Sequence, residues 1–196
     1  MMALPTSSQN TGEEGDHKGS PLQTPSQTVG PYFAYGLTAA QYLYDFDQIA
    51  NDVLVGDDTP GERIHIVGRV FDGENNLIPD AMIEVWQPDI KAFGRMGTGT
   101  DPKNRFLFET VKPQSMDGQA PHLALIVLMR GLLVHAYTRI YFSDEAATNA
   151  QDAVLNSVPR ERRHTLIAQR HEMNGRTEYH FDIYMQGEVE TVFFDV

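Results

Sequence analysis

His122, His135 and Tyr137 stand at spacings from which a strand can grip a metal ion. Residues i and i+2 of a strand project from one face, so imidazole or phenol side chains two apart can share one cation. His135 and Tyr137 form such a pair. His122 would form another, but the residue two further on is Ala124, which offers no lone pair. Taken alone, His122 reads as a core or interface histidine with a hydrogen-bonded ring, because metal geometry needs several convergent ligands. If the strand bearing His135 and Tyr137 pairs with the strand bearing His122, all three could converge. Pairing by itself does not fix which face each residue occupies.

A second set is built for contact rather than ligation. Thr28, Gly30 and Pro31 sit in a proline-rich stretch, residues 21–36, that reads as an extended arm. Gly30 lets the backbone approach a neighbour without a Cβ, and Pro31 presents a flat apolar ring with no N–H. An arm of this kind can also do no more than cover a sheet edge. Arg130 follows an apolar run and precedes Gly131. It reads either as a solvated turn residue or as a fixed cation near a carboxylate or a partner chain.

The elements that must position these residues are mostly strands. Ile64, Ile66, Gly68 and Val70 alternate, Asp72-Gly73 gives a turn, and Ala81, Ile83, Val85 and Gln87 resume the alternation, which predicts a β-hairpin. Phe106 and Phe108 share a face within 105–111. Residues 122–129 are almost wholly apolar, as for a strand buried on both faces, and 132–142 predict a long returning strand. Residues 87–104 read as a weakly patterned loop, and 38–51 as a short helix or two. A helix is predicted over 156–171, capped by Asn156 or Ser157 with Pro159 in its first turn. Asn174-Gly175 is a turn, followed by the alternating Tyr179, Phe181, Ile183 and Met185. Short strands with this punctuation predict a mainly β protein, a β-sandwich of mixed or antiparallel sheets with one or two short helices.

Composition narrows the function. The 196 residues suit one domain, read as 21–196 behind a mobile leader at 1–20. The 27 acidic and 15 basic residues give a formal net charge of −12, which repels phosphate backbones and anionic lipid. The absence of cysteine excludes disulfides, thiolate metal sites and a cysteine nucleophile. It agrees with a reducing cytoplasm. No run of apolar residues approaches the roughly 18 that a membrane span needs, and no secretory signal pattern opens the chain.

Several longer motifs, in order, add a resemblance. They are Thr24-Pro25-Ser26-Gln27-Thr28-Val29-Gly30-Pro31-Tyr32-Phe33, Pro121-His122-Leu123-Ala124, Met129-Arg130-Gly131, Tyr137 through Ala146, Leu166-Ile167-Ala168, Tyr179 through Ile183, and Gln186 through Asp195. Together they resemble the intradiol ring-cleaving dioxygenases, over roughly residues 21–196. The resemblance implies a family in which ferric iron is held by two tyrosines and two histidines. This chain departs from that set. None of its eight tyrosines lies between Asp45 and Ala136, where the family keeps both ligands, and the family's His-x-His reads His122-Leu123-Ala124. The match is closest to the chains of the family that have lost the ligands and pair with a homologous, iron-bearing beta chain. What that implies is an alpha–beta protomer repeated into a larger assembly, with protocatechuate and O2 as substrates and no metal bound by this chain. Carried over residue by residue, the pocket contributions fall on Thr28, Gly30, Pro31 and Arg130.

Three functions therefore stand to be separated. The first is a subunit that completes a partner's iron site. The second is a self-sufficient metalloenzyme using His122, His135 and Tyr137. The third is a sandwich that only binds or scaffolds.

Overall fold

The computed structural model describes residues 27–30, 32–45 and 47–195. The leader at 1–20 and Pro31 lie outside the described residues. The prolines of the arm all precede Tyr32, and the chain turns helical immediately after it, in α1 (Phe33–Leu37) and a 3-10 turn (Ala39–Tyr42). The strands then run β1 (Arg63–Phe71), β2 (Met82–Gln87), β3 (Ala92–Gly97), β4 (Arg105–Val111), β5 (His122–Leu128) and β6 (Ala136–Phe142). Two short helices, α2 (Ala146–Asn149) and α3 (Ala153–Ser157), and a 3-10 segment (Arg160–Leu166) lead into β7 (Ile167–Met173), β8 (Arg176–His180) and β9 (Ile183–Tyr184).

Hydrogen bonding follows one path, β3-β2-β5-β6-β7-β8-β1-β4, with β9 added to β1. Strand β7 is the corner. Its first residues, Ile167 and Ala168, pair in parallel with Tyr141 and Phe142 of β6, whereas Gln169 to Met173 pair antiparallel with β8. The path thus folds into two layers with one core between them. Ile64, Ile66, Phe106, Phe108 and Tyr179 enter from the β8-β1-β4 side. Ile83, Val85, Leu123, Leu125, Val127, Ile140 and Phe142 enter from the β2-β5-β6 side. The expected mixed β-sandwich is the fold observed.

Local expectations fared unevenly. β1 and β2 are not a hairpin, because β1 lies between β8 and β4 while β2 lies between β3 and β5. The turn itself is real: Asp72 Oδ1 accepts from the Glu74 and Asn76 amides at 2.8 and 2.9 Å. Ile78 and Ala81 then carry the chain into the other layer's core. The helix expected over 156–171 is instead the end of α3, a 3-10 segment and most of β7. Residues 167–173 find strand edges on both sides, and that pairing overrides helical spacing. The 87–104 loop contains β3, held to β2 along six register pairs. The returning strand begins only at Ala136, since Leu133 and Val134 stay exposed and have no core to enter. Finally, β5 is fully buried on one face only: Leu123, Leu125 and Val127 point into the core, while on the other face His122 is buried and Ala124, Ile126 and Leu128 are half-buried. No helix among the described residues is long and apolar enough to cross a membrane.

Charged residues pin the two layers together at one end. The Lys112 ammonium, which follows β4, donates to both Asp144 carboxylate oxygens (3.0 and 2.9 Å) beyond β6 and to the Tyr179 hydroxyl (2.9 Å) on β8. Arg170 on β7 donates to the same carboxylate at 3.1 Å and to Glu62 at 2.9 Å. Burial works against ionising Asp144, but the Lys112 and Tyr179 hydrogen bonds outweigh it and hold the carboxyl below its ordinary range.

Gly68, on β1, is the tightest backbone position of the core. A Cβ there would fall on the Phe181 carbonyl oxygen and the Phe106 ring. Gly68→Ala is expected to destabilise the chain by about 3 kcal/mol or more, because backbone and a buried ring must both move. Urea unfolding monitored by far-UV circular dichroism measures this; a loss below about 1 kcal/mol would show that the two layers separate easily.

Candidate functional site

The arm and the β5–β6 turn, about a hundred residues apart in sequence, meet in the fold. The Gly131 amide donates to the Thr28 hydroxyl oxygen at 2.9 Å. Gly131 has φ +92°, a left-handed conformation that glycine adopts without strain. Thr28 and the Arg130 turn therefore form one site. Arg130 is 56% exposed in its side chain, and its Nε donates to an Asp80 carboxylate oxygen. That contact fixes one edge of the guanidinium. Its terminal nitrogens make no hydrogen bond among the described residues, and a guanidinium can meet a planar carboxylate through them. Gly30 is exposed with open space where a Cβ would be, and its carbonyl accepts from the Phe33 amide at 3.3 Å, starting the first helical turn. A cleft of about 250 Å³ adjoins this site, lined by Val29, Leu128, Met129, Leu132, Leu133 and His135 among others. Of the four residues expected at a substrate pocket, the structure joins Thr28 to the Arg130 turn and leaves Gly30 beside them. Pro31 lies outside the described residues.

His122, His135 and Tyr137 do not converge. In the β5–β6 register His122 lies opposite Tyr141, whereas Tyr137 lies opposite Ile126, four residues further along. At about 3.4 Å per residue that is roughly 13 Å of strand. His135 precedes β6 and lines the cleft at the other end of β5. Among the described residues no three His, Asp or Glu side chains cluster as metal ligands.

His122 is instead part of a buried polar cluster. Its Nδ1 lies 2.9 Å from the Ala120 carbonyl oxygen, which assigns the proton to Nδ1, and its ring packs 5.9 Å from that of Tyr141. Burial lowers its pKa from the ordinary imidazole value, so the ring is held neutral. Asp152 organises the surroundings. Its Oδ1 accepts from the Leu155 amide at 2.8 Å, capping α3, and from the Tyr141 hydroxyl at 3.0 Å, while Oδ2 accepts from the Ala120 amide at 2.8 Å. Burial is the main cause that pushes the Tyr141 hydroxyl above its ordinary pKa, so it stays a neutral donor. A ferric site would need an anionic phenolate and several nearby donors. Here one imidazole is neutral and walled in, its i+2 position is Ala124, and the nearest phenol is committed to Asp152. These residues do not fit the iron.

Sequence reasoning missed Asp152 and the Lys112–Asp144–Arg170 group. Asp152 carried a readable signal, an acidic cap three residues before Leu155. The other group is assembled from three separate segments and carries no local pattern.

Relatives decide the family. The chain is 50% identical over 192 residues to a protocatechuate 3,4-dioxygenase alpha chain of Burkholderia cepacia, covering 89% of this chain and 98% of that one. It is 41% identical over 194 residues to a protein of the same name from Pseudomonas putida, covering 88% and 96%. The chain belongs to the protocatechuate 3,4-dioxygenase alpha-chain family. No protein-family model matches it. Solved structures share the fold at lower identity. One is the dioxygenase domain of a dioxygenase–carbohydrate-binding fusion from Streptomyces sp. SirexAA-E, with a TM-score of 0.55 at 20% identity, covering 84% of this chain and 98% of that one. Another is an intradiol ring-cleavage dioxygenase from Tetranychus urticae, with a TM-score of 0.57 at 14% identity, covering 80% and 97%.

The neutral, buried His122 gives a pH signature. Its folded pKa is below the ordinary imidazole value of 6.5, so the unfolded chain binds the proton more readily. The stability held by neutral His122 is complete above about pH 6.5 and declines as pH falls toward the folded pKa. Urea midpoints from pH 8 to pH 5 should fall in the wild type and fall less steeply in His122→Gln; identical slopes would show that the ring is not desolvated.

Proposed function

We propose that this chain is the alpha subunit of a protocatechuate 3,4-dioxygenase, within one domain spanning residues 21–196. In this reading the enzyme cleaves protocatechuate between its hydroxyl-bearing carbons with O2, giving 3-carboxy-cis,cis-muconate, as in the beta-ketoadipate route of aromatic catabolism. The ferric iron resides in a homologous beta chain, and this chain completes the pocket and the assembly. The bond from the Gly131 amide to Thr28 supports the reading, because it brings together two motifs that the resemblance assigns to one pocket.

The roles follow from the side chains. Arg130 supplies positive charge for an anionic substrate, its guanidinium oriented by Asp80. Thr28 anchors the arm on the turn beside Gly30, and the resemblance gives Gly30 and Pro31 the walls of the aromatic ring. None of these residues ligates metal or moves a proton in the ring opening, so the chain's contribution is binding and orientation. The metalloenzyme alternative loses its geometry, since His122 and Tyr137 lie at separate rows of the β5–β6 pair. A bare scaffold would have no use for an oriented, exposed guanidinium beside an apolar cleft.

Co-expression with the beta chain tests this. Arg130→Ala should lower kcat/KM for protocatechuate about 10- to 100-fold, as for a lost charge-assisted hydrogen bond, mostly through KM and with iron content unchanged. Loss of iron, or unaltered kinetics, would remove Arg130 from the pocket. Iron and ring cleavage in this chain purified alone would overturn the subunit reading.

A further inference from the structure

The β7–β8 hairpin carries two histidines that serve neither the core nor the Thr28–Arg130 site. Ala168 of β7 and Tyr179 of β8 enter the core. Strand alternation therefore turns Gln169, His171, Glu178 and His180 to the opposite, outer face of the hairpin. In the register His171 lies opposite Glu178 and Gln169 opposite His180. His171 and His180 are thus diagonal neighbours, a separation that long side chains bridge. Their ring centroids stand 4.4 Å apart, with the planes at 39°. Both side chains are exposed.

We infer that His171 and His180 form a binding site for a borderline divalent cation of the Zn2+, Ni2+ and Cu2+ class, with Glu178 as the carboxylate that orients His180. Imidazole suits these ions. Two nitrogens that bind one ion at about 2.0 Å stand roughly 3 Å apart, a separation within reach of two exposed rings in contact. His180 Nε2 lies 2.9 Å from Glu178 Oε2. An ionised carboxylate only accepts, so Nε2 carries the proton and the lone pair is on Nδ1. This is the arrangement in which an outer carboxylate fixes the tautomer of a ligating histidine and raises its basicity. The His171 ring makes no hydrogen bond among the described residues, so either of its nitrogens can turn to the ion. Because no third His, Asp or Glu converges there, water fills the remaining positions. The formal charge of −12 adds attraction for a cation. The consequence is structural. β7 pairs with β6 through its first two residues and with β8 through the rest, so an ion held between His171 and His180 ties the corner strand to its antiparallel neighbour. All three side chains belong to this chain, so the inference does not rest on the subunit reading.

Cu2+ and Zn2+ are the probes, added to the full-length chain. Electron spin-echo envelope modulation of the Cu2+ form at one equivalent counts the imidazoles on the ion. The wild type should show the combination lines that only two coordinated imidazoles give, and His171→Ala and His180→Ala should each lose them. In calorimetric titration Zn2+ should bind the wild type at one ion per chain, and Glu178→Gln should weaken it about 10- to 100-fold, the scale of a lost orienting partner. Saturating Zn2+ should raise the thermal midpoint of the wild type and leave that of both alanine variants unmoved. A wild-type spectrum of one imidazole or none overturns the site. So does a two-imidazole spectrum that survives in either alanine variant, which would place the ion on other histidines. Unchanged Zn2+ affinity in Glu178→Gln would overturn the role given to Glu178. The wild-type spectrum can reject the site without any variant, and His171→Asn and His180→Asn repeat the comparison should an alanine variant fail to fold.

Discussion

Strand β5 imposes the constraint on which the rest of the molecule depends. Its two-residue period sends Leu123, Leu125 and Val127 into the core and His122, Ala124, Ile126 and Leu128 outward. The inward face fastens the two layers. The outward face is free to vary, and its composition decides what the protein can do. With a second imidazole at Ala124 and phenolates nearby, it could hold a cation. With alanine there, and His122 neutral and enclosed, it presents apolar surface instead. A one-residue slip of β5 would exchange the two faces and empty the core, so the strand's register and the chain's division of labour are one property.

Two polar clusters of the interior draw their partners from separate segments, whereas His65 Nδ1, Asp89 Oδ1 and Asn149 Oδ1 are buried without a hydrogen bond among the described residues. Asp152 joins α3, β6 and the residue pair before β5 through three hydrogen bonds. Lys112 and Asp144 join the two layers, with the Lys112 side chain only 8% exposed. Burial lowers the affinity of Lys112 for its proton, but the bonds it donates to Tyr179 and Asp144 more than restore it, so the pair stays ionised. Breaking one member would leave a buried charge alone, which is costlier than never having the pair. These clusters are structural. They occupy the ends of the sandwich and leave the middle of its outer face apolar.

What could be read from the sequence was what period and punctuation encode. The alternation of Phe106 and Phe108, the apolar run from His122, and the Asn174-Gly175 turn all mark elements that the structure contains; Asn174 and Gly175 both have positive φ, as a tight hairpin turn demands. Partnership was not legible. β1 and β2 looked like a hairpin because two alternating segments flanked a good turn, yet each found better-matched neighbours elsewhere in the chain. The 156–171 segment looked helical because Leu166 and Arg170 fall at helical spacing, yet β7 is placed by the open edges of β6 and β8. The site was less legible: type and context left Thr28 and Arg130 open, the family resemblance singled them out, and the fold brings the Thr28 hydroxyl to the turn after Arg130.

Arginine usage ties the surface to this division. Arg69, Arg95, Arg105 and Arg170 each hold a carboxylate across or along strands, and Asp101 is brought down to a pKa of about 2 chiefly by its hydrogen bond from Arg105. In a chain of formal charge −12, seven of the eleven arginines meet an internal acid among the described residues. Arg130 also meets one, Asp80, but through Nε, on an exposed turn and next to an apolar cleft. A guanidinium held by one edge keeps its direction and still offers a second edge. In water such an offer is worth little, because solvent screens it. Covered by another chain, in a site emptied of water, the same charge acts at a lower effective dielectric and becomes a strong determinant of which anion is held. On the proposed reading, the charge of Arg130 would therefore act only once another chain had closed water out of the site, and would have little effect in the isolated chain.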